Sequence, residues 1–170
     1  MSMRDKTCCF TGHRIMRLSE LETRGKIERI INMLVEKGVV YYGCGGALGF
    51  DTIAAKCVIR ARQKNPKIKL ILVLPCKDQD KMWSDEDKQV YADIKAKADK
   101  IVYVSESYTK TCMHERNRHL VDNSAYCISY LEVKSGGTFY TYNYAKDMGL
   151  EIYNVAQPVY MTPVVARENW

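Results

Sequence analysis

Two short glycine-rich segments contain the residue types that bind phosphate groups in proteins. The first, GCGGALGFD, spans Gly43 to Asp51, and the second, KSGGTFYT, spans Lys134 to Thr141. Each leads into a predicted helix, so bare backbone NH groups would lie at the positive end of a helix dipole. The first segment lacks the Lys-Ser/Thr pair of a P-loop and the GxGxxG spacing of a nicotinamide site. Two anion-binding turns are predicted; the alternative is two structural turns, with Thr138 as a helix cap.

Polar side chains also follow two other predicted strands. His13 and Arg14 come directly after the first strand, and the segment HERNRHLVDNS carries Arg116 and Arg118 on a short predicted helix. Arginine suits bidentate phosphate recognition, and Arg116 is favoured over Arg118 for the site. His13 is a candidate proton donor, with a hydrogen-bonding role in the lining as the alternative.

A base and a sugar would need further partners. Asp51, at a predicted helix start, could accept bonds from ribose hydroxyls or cap the helix. Gln79 and Trp83 lie in the loop after the third strand, where they could bind and stack on a base, or Trp83 could cover the core edge. Nothing in the sequence marks a catalytic nucleophile.

Strands and helices alternate along the chain, and this order must position these residues. Val- and Ile-rich runs predict strands, and apolar residues at helical spacing predict helices between them. Ser19 and Glu22 form a predicted capping box, and Gly38 is the predicted stop of that helix. The predicted strands are 6–11, 39–42, 67–74, 100–104, 126–131 and 152–155, and the predicted helices are 19–37, 51–63, 84–98, 113–122 and 138–148.

This alternation predicts an α/β class: a doubly wound, mostly parallel, Rossmann-like sheet of about six strands with helices on both faces. Ligands of such sheets bind beyond the carboxyl ends of the strands, where the polar and glycine-rich segments fall. One domain over residues 1–156 is predicted, followed by a C-terminal tail over 157–170.

Composition supports a folded domain and excludes several classes. Hydrophobic residues make up 46% of the 170 and charged residues 27%, which excludes disordered and fibrous architectures. The sequence lacks the roughly 20 apolar residues of a spanning helix and a signal peptide at MSMRDK, so a cytoplasmic protein without membrane contact is expected. The seven cysteines are expected to be reduced and buried, and neither a metal nor a cofactor is predicted. The net charge of +6 permits an anionic ligand.

The motifs TGHR, GGALGFDTIAA, PCKDQxxxW, MHERNRHLVDNS and SGGTFYTYNYA, in this order, resemble the SLOG superfamily and within it the YpsA-like group. The resemblance covers about residues 7–155. It implies a Rossmann-like domain of bacterial type that binds a nucleotide or a nucleotide-derived ligand. It also implies a homodimer as a candidate assembly.

A more distant resemblance is to the Lonely Guy phosphoribohydrolases, whose MHxRK motif is similar to MHERN here and places Arg116 on a functional arginine. Their PGGxGTxxE motif ends in a catalytic glutamate. The matching segment here is SGGTFYTYN, with Ser135 for the proline and Tyr142 or Asn143 near the glutamate's place. Cleavage of an N-glycosidic bond would need another carboxylate, and Asp51 and Asp122 are the nearest candidates.

The segments GALGFDTIAA, RNRHLVDNS and KSGGTFYTYNYA also resemble DprA/Smf, a mediator that binds single-stranded DNA. In that interpretation Arg116 and Arg118 contact phosphates, and the basic stretch from Arg60 to Lys69 contributes to a salt-sensitive groove. The favoured alternative for that stretch is a solvated helix end and loop. Only the Rossmann-like domain is expected here, without the extra DNA-binding module of that family.

The favoured hypothesis is a sensor or regulatory module that binds a nucleotide-derived small molecule at the carboxyl edge of the sheet. A phosphoribohydrolase and a single-stranded DNA-binding protein are the alternatives, and enzyme activity is left open. The predicted ligand-binding residues are Gly12, His13, Arg14, Gly45, Gly46, Gly49, Asp51, Gln79, Trp83, Arg116, Arg118, Ser135, Gly136, Gly137, Thr138 and Thr141.

Overall fold

The structure, a computed structural model, describes residues 1–156. Over these residues a 3-10 turn at Arg4–Lys6 precedes an alternation of strands and α-helices. The strands are β1 (Thr7–Gly12), β2 (Tyr41–Cys44), β3 (Lys69–Leu74), β4 (Lys100–Tyr103), β5 (Tyr126–Tyr130) and β6 (Glu151–Asn154). The helices are α1 (Glu20–Glu36), α2 (Phe50–Lys64), α3 (Asp85–Lys97), α4 (Cys112–Asp122) and α5 (Gly136–Asp147).

The strands form one sheet in the order β4-β3-β2-β1-β5-β6, and every neighbouring pair is parallel. The predicted α/β, Rossmann-like class is confirmed, and the sheet is wholly rather than mostly parallel. The chain moves outward from β1 to β4 and then returns to the other side of β1 at β5. The point where the strand order reverses therefore lies between β1 and β5. The tail predicted for residues 157–170 lies outside the described residues.

The helices cover the two faces of the sheet. Successive residues of a strand face opposite sides, and β1 shows this directly: Cys8 and Phe10 pack with α1, α2 and α3, whereas Cys9 packs with α4 and α5. Both clusters consist of fully or nearly fully buried apolar side chains. All seven cysteines are buried and free, as the sequence predicts.

Local sequence explains where α1 begins and ends. The Ser19 side chain accepts from the Glu22 backbone NH at 3.1 Å, and the Glu22 carboxylate accepts from the Ser19 NH, which confirms the predicted capping box. Ile27, Ile31 and neighbouring residues form the buried stripe of this helix. Gly38, with φ +91°, follows its end.

Predicted element boundaries differ from the observed ones by two residues or fewer. The predicted glycine turn from Gly43 was wrong at its start, because Gly43 and Cys44 belong to β2. A Cβ at Gly43 would lie 2.9 Å from Leu120 of α4, so this glycine allows the helix to pack closely on the sheet. The start predicted for α5 at Thr138 was also late, since Gly136 and Gly137 form its first turn. The 3-10 turn was not predicted.

Candidate functional site

A cleft of about 360 Å³ opens at the carboxyl ends of β1 and β5, where the strand order reverses. This is the position where open parallel sheets bind ligands. We call it the β1–β5 cleft. It is lined by Phe10, Thr11, Gly12, His13, Arg14, Ala47, Asp51, Met113, His114, Arg116, Asn117, Ser135, Gly136, Gly137 and Thr138. Nine predicted site residues belong to this set: Gly12, His13, Arg14, Asp51, Arg116, Ser135, Gly136, Gly137 and Thr138.

The N-terminus of α5 is open to the cleft. The N-cap residue is Ser135, and its side chain makes no capping hydrogen bond. Thr138 is the third residue of the helix and is therefore not its cap. A Cβ added at Gly136 or Gly137 would meet no described atom within 4 Å. The first NH groups of a helix have no partner within the helix and carry its positive dipole end. This turn can therefore receive an anionic group.

Arg116 of α4 supplies a buried positive charge to the same cleft. It is only 4% exposed, and its guanidinium donates through Nη1 to the Gly45 carbonyl and through Nε to the Asn117 side chain at 2.7 Å. Burial lowers the pKa of this guanidinium, and the charge of Asp51 opposes that change. Arginine keeps its charge in proteins, so this group attracts anions to the cleft.

Asp51, in the first turn of α2, is 6% exposed. Its Oδ2 accepts from the Ala47 backbone NH at 3.2 Å, whereas Oδ1 has no hydrogen-bond partner among the described residues. Burial raises the pKa of this carboxyl to about 6, against the opposing charges of Arg116 and Arg14. Near neutral pH the group can accept a hydrogen bond or exchange a proton.

His13 joins the two loops that border the cleft. Its Nε2 accepts from the backbone NH groups of Glu132 and Val133, at 2.9 and 3.3 Å. The ring is therefore neutral with its proton on Nδ1. Burial lowers the pKa of His13, against the opposing charge of Glu132. Glu132 also accepts from Arg17 at 3.0 Å, which links the loops after β1 and β5 a second time.

The glycines of the other turn approach protein atoms. A Cβ at Gly45 would lie 2.5 Å from the guanidinium of Arg116, and one at Gly46 would lie 2.6 Å from Leu74. A Cβ at Gly49, with φ +79°, would overlap the backbone carbonyl of Arg14. Gly12, the last residue of β1, is similarly enclosed at the cleft: a Cβ there would overlap the ring of Phe50. Three of these predicted site residues, Gly45, Gly46 and Gly49, thus lie outside the cleft lining.

Gln79 and Trp83 lie on the other side of Asp51. Gln79 donates to the Tyr91 hydroxyl at 3.1 Å and to the Gly46 carbonyl at 3.4 Å. The Trp83 ring packs edge-on against Tyr91, with centroids 5.0 Å apart. Trp83 and Asp51 both line a small separate cavity between α2 and α3. The structure therefore places this pair outside the β1–β5 cleft.

Two further predicted residues are also outside the lining. Arg118 is exposed on α4, where it donates to the Tyr140 hydroxyl. Thr141 is buried, and its hydroxyl donates to the Gly137 carbonyl at 2.9 Å. Conversely, His114 and Asn117 line the cleft without having been predicted. These two residues are three positions apart on α4, and that spacing was the available signal, because residues three or four apart share a helix face.

No helix among residues 1–156 is long and apolar enough to cross a membrane.

The fold and this cleft define a Rossmann-like domain with a ligand-sized opening at its topological switch point. Residues 8–157 match the model of the YspA SLOG family, named YpsA, and the chain belongs to that family. The predicted resemblance is thereby confirmed.

Individual relatives agree with this assignment. The chain is 32% identical over 139 residues to the uncharacterized SPbeta prophage-derived protein YoqJ of Bacillus subtilis, covering 74% of this chain and 81% of YoqJ. The fold of the present chain is similar to that of DNA processing protein A from Streptococcus pneumoniae, with a TM-score of 0.64 and 19% identity. That match covers 89% of this chain and half of the pneumococcal chain.

DNA processing protein A from Helicobacter pylori has a similar fold, with a TM-score of 0.63 and 21% identity. The match covers 89% of this chain and 66% of the other, which was studied for its single-stranded DNA binding mode. At these identities the likeness concerns the fold.

Proposed function

We propose that this protein is a binding module that holds a nucleotide or a nucleotide-derived small molecule in the β1–β5 cleft. The observation that carries this proposal is the open first turn of α5 at Gly136 and Gly137, which shares one cleft with the buried Arg116 guanidinium. A phosphate would accept from the NH groups of that turn and lie in the positive field of Arg116. Asp51, which lines the same cleft, would lie beside the ribose.

Membership of the SLOG family and the Rossmann-like fold support this function class. The cleft size also fits, since small-molecule sites range from about 300 to 1,000 Å³. The ligand would lie between two loops that His13 and Glu132 already hold together. Such a preformed site loses little conformational entropy on binding.

Thermal unfolding in the presence of nucleotides, nucleotide sugars and dinucleotides tests the proposal. A ligand at about 100 times its Kd stabilises a protein by about 2.7 kcal/mol, which for this chain length raises Tm by about 5 to 10 °C. The variant Gly137→Asp places a carboxylate at the phosphate position and is expected to lose the shift. Gly25→Asp is the matched control, because Gly25 lies in α1 with no described atom within 4 Å of an added Cβ.

A Tm rise in the control together with its loss in Gly137→Asp would support the site. No rise with any compound, or the same rise in both variants, would contradict it. A short single-stranded oligonucleotide belongs in the same panel at low and high salt. A shift with the oligonucleotide alone, abolished by salt, would favour DNA binding instead.

One observation favours a second candidate function, cleavage of the N-glycosidic bond of a nucleoside monophosphate. Asp51 lies in the cleft with an unpaired oxygen, whereas Asp122 accepts from the Tyr144 hydroxyl at 2.6 Å and lines a different groove. Of the two candidate carboxylates, Asp51 is therefore the one able to stabilise positive charge at a ribose in the cleft. Chromatography for free base, released by the wild type and not by Asp51→Asn, tests this candidate.

A further inference from the structure

Four side chains on the outer face of α4 and α5 form a continuous contact chain, which we call the α4–α5 ridge: His114, Arg118, Tyr140 and Tyr144. The His114 and Tyr140 rings meet edge to face, with centroids 4.9 Å apart. Arg118 donates to the Tyr140 hydroxyl at 2.7 and 3.0 Å, and its guanidinium lies 5.4 Å from the Tyr144 ring centroid. These contacts orient three exposed side chains and the half-buried Tyr144, which also packs against the core.

The ridge begins where the β1–β5 cleft ends. His114 itself lines the cleft. Tyr140 follows Gly136 and Gly137 by about one helical turn, or ~5.4 Å along α5. An aromatic pair therefore lies next to the NH groups to which we assign the phosphate.

The α4–α5 ridge offers an exposed aromatic ring on which a base can stack. Tyr140 is 37% exposed, and the polar bonds of Arg118 reach only its hydroxyl, at the tip of the ring. Trp83 instead lines the separate small cavity between α2 and α3, away from His114 and the first turn of α5. Exposed aromatic rings stack with any nucleobase because every base has a π-face, and a neighbouring guanidinium adds a cation–π contribution.

We propose that the His114–Tyr140 pair, oriented by Arg118, is the surface on which the base of the ligand stacks while its phosphate occupies the first turn of α5. This inference rests on the proposed function and adds the ligand's base to it. The chemistry recognised is a nucleobase linked to a phosphate, which a free nucleotide or a single strand can supply.

Calorimetric titration of the whole chain with AMP, and in parallel with ribose 5-phosphate, separates the base from the phosphate. The wild type is expected to bind AMP more tightly than ribose 5-phosphate. Tyr140→Ala is expected to weaken AMP binding by about 10- to 100-fold, the usual effect of removing one stacking ring, and to leave ribose 5-phosphate unchanged. Tyr140→Phe keeps the ring and should keep most of the affinity for AMP.

Tyr103→Ala is the matched control, because Tyr103 is 38% exposed but lies on β4, at the far edge of the sheet. It is expected to bind both compounds as the wild type does. Equal affinity of the wild type for the two compounds, or an unchanged AMP affinity in Tyr140→Ala, would overturn the stacking surface and leave the phosphate site standing. Binding of neither compound, nor of a short oligothymidylate, would overturn both proposals.

Oligothymidylate identifies the source of the base. If it alone binds, and Tyr140→Ala weakens it, the stacking surface is supported, the base belongs to a strand and the small-molecule form of the proposed function fails. An exposed surface of tyrosine and arginine could instead form a contact between two copies of this chain. Sedimentation of the same variants tests that alternative, because it measures the oligomeric state. A dimer lost in Tyr140→Ala with AMP affinity unchanged would overturn the inference.

Discussion

Replacing Asp51 by asparagine should stabilise this protein at neutral pH. Burial raises the pKa of the Asp51 carboxyl from 3.8 to about 6. A tenfold change in proton affinity corresponds to about 1.4 kcal/mol, so keeping the group ionised at pH 7 lowers the free energy of unfolding by about 3 kcal/mol. The amide of asparagine can still accept from the Ala47 NH. Its NH2 group would replace the unpaired Oδ1 and remain unpaired, which costs about 1 kcal/mol and leaves a net gain of about 2.

The pH dependence gives the sign of the effect. Because the folded-state pKa is raised, the folded protein binds a proton at Asp51 that the unfolded chain does not, between about pH 4 and 6. The contribution of Asp51 is therefore fully present below the unfolded pKa and is lost as pH rises through about 6. The advantage of Asp51→Asn should grow from about pH 4 to pH 7 and then level off.

Urea unfolding of both proteins at several pH values measures this difference. Subtracting the two curves removes the contributions of the other carboxyl groups, which are the same in both proteins. An asparagine variant less stable than the wild type at pH 7, or an advantage independent of pH, would refute the reasoning. A residue kept at the expense of stability fits a ligand-binding role.

Two other perturbations have outcomes that follow from local geometry. Gly49→Ala should lower the free energy of unfolding well beyond Gly149→Ala, because both glycines have φ near +80° but only the Cβ at Gly49 would overlap the Arg14 carbonyl. Chemical denaturation of the two variants isolates the effect of that overlap, and equal losses of stability would contradict it. Because the pKa of His13 is lowered in the folded protein, its contribution to stability is present above its unfolded pKa of ~6.5 and is lost as pH falls. The Tm should therefore decline less between pH 7.5 and 5.5 in His13→Gln than in the wild type, and parallel curves of Tm against pH would refute this.

The order of the elements could be predicted because apolar periodicity differs clearly between strands and helices in this chain. Ser19 and Gly38 showed the limits of α1, since capping chemistry is local. Glycine was less informative at Gly43 and Gly136. Its permissive backbone allows a turn, a strand and a helix start, and packing against distant atoms such as Leu120 decides among them.

The candidate site was predictable where chain order alone brings residues together. His13 and Ser135 follow β1 and β5, and adjacent parallel strands deliver both to one cleft. The sequence does not reveal what fills the space above a glycine. At Gly45 that space holds the Arg116 side chain, which contacts it across a long separation in sequence.

Aromatic residues show the same limit. Trp83 packs on Tyr91, a residue of the helix that begins just after it, whereas Tyr140 meets His114 of a neighbouring helix. Which aromatic ring borders the cleft is decided by the packing of α4 against α5. That packing depends on tertiary contacts that periodicity within one helix does not contain.

Nuclear magnetic resonance titration of the 15N-labelled protein with AMP tests the central claim most directly, because it reports where the phosphate binds. We expect saturable shifts of the amide resonances of Gly136, Gly137 and Thr138, in the first turn of α5, and an unchanged resonance for the Gly25 amide of α1. Saturable shifts confined to another part of the chain, or no shifts at millimolar AMP, would contradict a nucleotide phosphate site at this turn.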